Sequence, residues 1–216
     1  DIGGFFNWPY HGGAENKAYH ELYTRWFQYG TFLPMQRSHG SGVKKEIYNL
    51  GKKGDWVYDS EEKYINLRYA LLPYLYSTGW QVTDNAGSFL RALFMDFNED
   101  KKVHTISNQY MFGKAFLVTP VTRNMYVFSD KEQWKDPYED FSKTGTQDVY
   151  LPKGTKWFDF WTGEALNGGQ LVTKEVPIDI IPLYVRAGSI VPFGPKVQYS
   201  TEKKWNNLEI RIYPGA

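Results

Sequence analysis

Two short polar clusters, Asp1-Ile2-Gly3-Gly4-Phe5 and Arg37-Ser38-His39-Gly40, hold the side chains best suited to chemistry on a small molecule. A carboxylate, a guanidinium and an imidazole together supply an acceptor, a fixed fork of donors and a group that can donate or accept near neutrality. One amphipathic stretch separates the clusters, so the order is strand end, crossover helix, strand end. In such a unit both clusters, about thirty residues apart, finish on the same face of a parallel sheet. Two polar sites meeting at the mouth of a barrel imply a small-molecule pocket. Taken alone, His39 is more often a satisfied core residue than a binding group. The sequence also starts with an ionisable residue where a strand should be finishing, so a piece of a larger protein is expected.

The positioning elements follow from periodicity. Between Ala14 and Tyr29, the residues Tyr19, Leu22, Tyr23, Trp26 and Phe27 share one helical face, with Glu21 and Arg25 mostly elsewhere. Gly30 fits a left-handed stop. Phe32-Leu33-Pro34-Met35 is a short apolar run expected as a buried strand, with Pro34 limiting pairing to one side. Residues 40–58 form a polar, Gly-rich loop at the active face, in which Lys44-Lys45 and Lys52-Lys53 are expected as solvated charges. A second helix is expected from Asp59, boxed by Glu62, to about Val82, with Pro73 interrupting it.

From Phe89 onward the texture becomes β-rich. Phe89–Phe97, Gln109–Phe112, Ala115–Pro120, Gln147–Leu151, Lys156–Phe160, Leu171–Val176, Leu183–Val185 and Ser189–Pro192 are short runs punctuated by Gly, Pro, Asn and Asp. That pattern predicts an antiparallel sandwich. Residues 127–146 are charged and aperiodic, an excursion between strands. Leu208–Tyr213 alternates as a half-exposed strand with nothing left to pair with, the expected start of another unit. The fold class is therefore α/β plus all-β: the last strands and helices of a (β/α)8 barrel over 1–86, an antiparallel β-sandwich over 87–194, and the start of a further β domain over 195–216.

Bulk properties narrow the function. The 25 basic and 24 acidic side chains leave a net charge of +1, which is no footprint for nucleic acid or an anionic membrane. No apolar run approaches the roughly 18 residues that span a bilayer. The absence of cysteine excludes disulfides, thiol catalysis and thiolate metal sites. His11, His20 and His104 show no metal spacing. At 18% the aromatic fraction is high; rings fill sandwich cores and also stack on the C–H faces of sugars. Trp8, Tyr10, Tyr48 and Trp56 lie in the loops after the two strand ends, and of these Trp8 and Trp56 are the possible sugar-stacking residues.

These motifs, with Glu21-Leu22-Tyr23-Thr24-Arg25-Trp26-Phe27-Gln28-Tyr29-Gly30, Leu67-Arg68-Tyr69-Ala70-Leu71-Leu72-Pro73-Tyr74, Gln109-Tyr110-Met111-Phe112-Gly113, Trp157-Phe158-Asp159-Phe160-Trp161-Thr162-Gly163 and Leu183-Tyr184-Val185-Arg186-Ala187-Gly188, resemble glycoside hydrolase family 31. The likeness runs through essentially the whole chain, residues 127–146 excepted, and its details are most similar to bacterial α-xylosidases acting on xyloglucan fragments. It implies a retaining double displacement by two carboxylates, both on barrel strands that precede Asp1, so no catalytic residue is expected in this chain. What it implies here is the wall of the −1 subsite. His39 would donate to a ring hydroxyl, Asp1 would accept from one or pair with Arg37, and Phe5 would present its ring to the sugar.

No cofactor and no metal are expected, because the chemistry is carried by carboxylates. The expected partners are an oligosaccharide substrate and the upstream part of the same polypeptide, without which the chain should be inactive. The expected compartment is the periplasm or exterior of a bacterium, with the cytoplasm left open. An α-glucosidase of the same family is the first alternative, decided by room for a C6 hydroxymethyl group. From another class comes a non-catalytic carbohydrate-binding β-sandwich, against which the βαβ-like start argues.

Overall fold

The computed structural model describes residues 1–215. Helix α1 (Lys17–Thr31) is the crossover between the two polar clusters. Asn16 starts it, its side-chain oxygen accepting from the amides of Ala18 and Tyr19 at 2.9 and 3.2 Å. Tyr19, Tyr23 and Phe27 are buried as the periodicity predicts, but Trp26 is exposed. The polar residues Glu21, Thr24, Arg25 and Gln28 are buried instead. Glu21, Arg25 and Gln28 are paired. Arg25 donates to the carbonyls of Val176, Pro177 and Ile180, and Gln28 to that of Ile178. Such pairing is what makes burial of charge tolerable.

Gly30 does not stop the helix. It lies inside α1, where a Cβ would sit 2.8 Å from Ile2 Cδ1, so its role is close approach to the first cluster. Phe32–Met35 forms no strand. The carbonyls of Thr31, Leu33 and Pro34 go instead to the guanidinium of Arg68, at 2.8, 2.5 and 2.9 Å, a cation closing the C-terminal end of α1.

After the one-turn α2 (Ile47–Leu50), helix α3 (Trp56–Ala70) begins three residues before the expected Asp59. Its start is fixed by an interlock, with Lys52 N–H donating to the Asp55 carboxylate and Gly54 N–H to that of Asp59. Leu71 (ψ 0°) breaks the run, and α4 (Leu72–Asp84) restarts with Pro73 in its first turn, where the missing N–H costs nothing.

The β-rich half comprises β1 (Leu90–Ala92), α5 (Leu93–Asp96), β2 (Tyr110–Phe112), β3 (Phe116–Val118), β4 (Val127–Phe128), β5 (Tyr138–Glu139), β6 (Thr146–Leu151), β7 (Lys156–Asp159), β8 (Ala165–Asn167), β9 (Gln170–Glu175), β10 (Leu183–Arg186), β11 (Ile190–Phe193) and β12 (Glu209–Ile212). One antiparallel sheet has the order β1-β2-β3-β10-β7-β8, and β6 pairs with β9 as a second. Alternation sends Met111, Leu117, Trp157 and Tyr184 toward β6, where Val149 and Leu151 complete an all-apolar layer. This is the sandwich. The opposite face of the large sheet, carrying Phe112, Phe116, Val118, Leu183 and Val185, packs on Ile2, Tyr19, Tyr23, Phe32, Tyr64 and Tyr74. The barrel segment and the sandwich therefore share one core across residue 86.

Two expectations are corrected. β12 is not left over: it pairs antiparallel with β11, Ile190 opposite Ile212. Residues 127–146 are not a free excursion either, since β4 pairs with β5 and the segment lies on the N-terminal end of α1.

Candidate functional site

The two polar clusters lie side by side. Ile2 N–H donates to Arg37 C=O at 3.0 Å, Ser41 N–H donates to Phe5 C=O at 2.8 Å, and Phe6 and Ser41 form a parallel bridge. That is the pairing of adjacent parallel strand ends, and it puts all four expected pocket residues on one ledge. The Arg37 fork reaches one oxygen of Asp1, from Nε at 3.0 Å and Nη2 at 2.5 Å. Both members are exposed, so the pair is worth little as stabilisation; its effect is to fix the carboxylate's direction. The Phe5 ring meets the His39 imidazole edge-on, centroids 5.4 Å apart. His39 is exposed and its ring nitrogens make no hydrogen bond to other described residues, so it is no satisfied core histidine.

Gly3 shows why this corner is glycine-rich. Its φ is +76°, and a Cβ there would stand 2.4 Å from the Tyr23 ring. Tyr23 needs that space because its hydroxyl bonds the Ser38 hydroxyl at 2.7 Å and donates to Lys45 C=O at 2.8 Å.

Lys45, expected as a solvated charge, is only 6% exposed. Its ammonium donates to the carbonyls of Ile2, Gly4 and His39, the last at 2.8 Å, and so ties the first cluster to the second from below. Desolvation holds its pKa below the usual lysine value. Composition and spacing carried no sign of this role. The sole hint was its place five residues after Gly40 in a glycine-rich turn.

Of the candidate stacking residues, Trp8 is 75% exposed and free to receive a ring. Trp56 is not. Its indole N–H donates to Glu139 Oε1 at 3.0 Å, and its ring is half-buried beside Phe141 and His20. Tyr10 is packed between Tyr19 and Trp134, while Tyr48 is exposed. His20 is engaged with Ala14 C=O, and burial lowers its pKa. Among the described residues, no three His, Asp or Glu side chains converge to hold a metal ion, and no helix is long and apolar enough to cross a membrane.

The ledge thus carries a carboxylate held by a guanidinium, and an exposed imidazole beside an aromatic ring, a set of groups able to accept and donate hydrogen bonds. Residues 1–78 match the model of the glycosyl hydrolases family 31 TIM-barrel domain, and 86–191 that of the family's C-terminal domain. The chain belongs to glycoside hydrolase family 31. An α-xylosidase of Saccharolobus solfataricus is 40% identical over the whole chain, which covers 26% of that protein. The α-glucosidase of the same archaeon is 31% identical over 97% of the chain and 27% of its own length. Among solved structures, the family 31 α-xylosidase from Xanthomonas citri superposes with a TM-score of 0.84 at 40% identity, over 100% of this chain and 22% of that one. A family 31 dextranase of Flavobacterium johnsoniae, complexed with glucose, reaches 0.77 at 33% identity, over 94% and 22%. The chain thus spans about a quarter of the length of these family 31 relatives.

Proposed function

We propose that the polypeptide containing this chain is a retaining, exo-acting α-glycosidase that removes terminal α-xylosyl residues from oligosaccharides such as xyloglucan fragments. In this reading the ledge of Asp1, Phe5, Arg37 and His39 forms one wall of the sugar site, and the two reacting carboxylates come from outside these residues. The observation that carries it is the juxtaposition of the Arg37-held carboxylate with the unpaired imidazole beside Phe5, on the face where a barrel's strands end. In this reading His39, whose ring nitrogens bond no other described residue, donates to a ring hydroxyl. A hydrogen bond that strengthens as positive charge builds on the anomeric carbon lowers the barrier. The 40% identity to the α-xylosidases of Saccharolobus solfataricus and Xanthomonas citri, against 31% to the α-glucosidase of Saccharolobus solfataricus, supports xylose over glucose, although a soil-metagenome α-xylosidase stands at 29%.

The test is kinetic, on the full-length polypeptide with paired aryl α-xyloside and α-glucoside. We expect kcat/KM to favour the xyloside by about tenfold or more, the span one hydroxymethyl group confers. His39→Ala should lower kcat by about a hundredfold with folding unchanged. Preference for the glucoside would move the assignment to α-glucosidase, and full activity in His39→Ala would remove the wall.

A further inference from the structure

The segment 129–140 follows β4, contains β5 and contacts the starts of α1 and α3. In a βα unit the helix starts where the strand ends, so the N-terminal ends of α1 and α3 mark the face that carries the ledge. The strap touches both. Its Glu139 carboxylate receives Lys17 Nζ at 2.9 Å and Trp56 Nε1 at 3.0 Å, from the first residue of each helix. One helical turn further in, the buried carboxylate of Glu21 accepts the amides of Met125, Tyr126 and Val127 at 2.7, 3.0 and 2.7 Å, anchoring the strap's root.

The strap also grips the loop 7–13 that follows the first cluster. His11 N–H donates to Gln133 C=O at 3.0 Å. The Asn16 side-chain amide donates to His11 C=O at 2.7 Å and Trp134 C=O at 2.8 Å, joining loop, strap and helix start through one residue. Trp134 lies parallel to Tyr10, centroids 5.9 Å apart. Tyr10 N–H in turn closes a turn on Asn7 C=O at 2.8 Å, and the two central residues of that turn are Trp8 and Pro9. Within the strap Gln133, Trp134 and Asp136 all have positive φ, at 55°, 50° and 47°. Three non-glycine residues held there in a four-residue stretch are strained backbone that surrounding contacts must maintain, and such clusters gather where geometry is being imposed.

We infer that the 129–140 strap is a positioning element for the leaving-group side of the sugar site: by clamping Tyr10 it fixes the turn carrying Trp8, which presents its ring to the saccharide beyond the scissile bond. This rests on the glycosidase reading above. Trp8 is the exposed aromatic whose backbone the strap holds, and a preset ring face binds an oligosaccharide without the cost of ordering a loop. With Trp8 engaging the saccharide and not the aglycone, an aryl leaving group gains nothing from it. The strap therefore sets KM for oligosaccharides and leaves the chemical step alone.

The test uses the full-length polypeptide with Trp134→Ala and Trp134→Tyr, assayed on an aryl α-xyloside and on an α-xylosyl oligosaccharide. Trp134→Ala should raise the oligosaccharide KM by about tenfold, leaving its kcat and the aryl kcat/KM within about twofold, and Trp134→Tyr should restore most of the loss. Hydrogen exchange should quicken by about tenfold at the amides of 10–13 in Trp134→Ala, and not in the α3 interior. Should Trp134→Ala fail to fold, Glu139→Gln, which touches only the partly exposed Lys17 and Trp56 contacts, should show the same pattern at about threefold. Equal losses on both substrates, or an unchanged oligosaccharide KM in an active protein, would overturn this inference alone. A shifted KM with unaltered exchange would overturn it too, making Trp134 a direct contact. Wild-type protein inert toward every α-glycoside would overturn the proposed function and this inference with it.

Discussion

Glu61 is the residue most out of place by ordinary rules. It faces α1 from α3, is 1% exposed, and has one oxygen without a partner while the other receives only a 3.5 Å contact from Thr24 Oγ1. Desolvation pushes its pKa up to about 9 from an ordinary 4.5, so near neutrality the folded protein holds it as the neutral acid. The folded state then keeps a proton that the unfolded state has released. The contribution of Glu61 to stability therefore falls as pH rises from about 4.5 to about 9 and levels off above. Glu61→Gln should flatten that slope and stabilise the protein at about pH 8 by roughly 1 kcal/mol or more, measured by urea unfolding across the range. Identical slopes in the two proteins would mean that the carboxyl is ionised in the fold.

At the scale of elements, Asn16 joins three segments. Its oxygen caps α1 while its nitrogen binds the carbonyls of His11 and Trp134. A cap alone is worth about 1 kcal/mol, and two partly buried carbonyls that lose their donor add to it, so Asn16→Ala should cost about 1–2 kcal/mol in thermal or denaturant unfolding. A loss no larger than a simple cap would show that water replaces the strap contacts.

Elements were legible in the sequence wherever their cause was local. Apolar spacing foretold α1, Pro73 foretold the division of the second helix, and turn residues bracketed most strands within a residue or two. The ledge was legible for the same reason, its residues lying at the two ends of one crossover. What spacing did not disclose were partners distant in the chain. The amides that explain Glu21 are 104 to 106 residues away, and the strap was aperiodic because its conformation is imposed by what it touches. A trace was present: Glu21, Arg25 and Gln28 fall at i, i+4 and i+7 on α1, a polar stripe that matched a second packing partner as well as it matched water. The contacts of Trp56 were not legible because the packing of an aromatic cannot be inferred from its type, and those of Lys45 because a flexible stem lets an ammonium turn inward.

Over the whole molecule, the six-stranded sheet is the shared middle layer, covered by helices on one face and by β6–β9 on the other. Tyr74 binds these layers directly, its hydroxyl donating to Phe112 C=O at 2.8 Å and accepting Ala115 N–H at 3.3 Å. Tyr74→Phe leaves both backbone groups buried and unmet, for about 2 kcal/mol. Because both halves use the same sheet, calorimetry should still show them unfolding in a single transition at lower temperature. Two resolved transitions would mean that barrel segment and sandwich melt apart.

The sheet order carries one more consequence, for the newborn chain on the ribosome. Strand β10 sits between β3 and β7, hydrogen-bonded to both, yet it is made after either of them. Until Leu183–Arg186 clears the exit tunnel, the row has a gap at its centre, and the earlier strands wait with bare backbone on either side. The emergence of that single four-residue stretch is the moment at which the sheet before it can close.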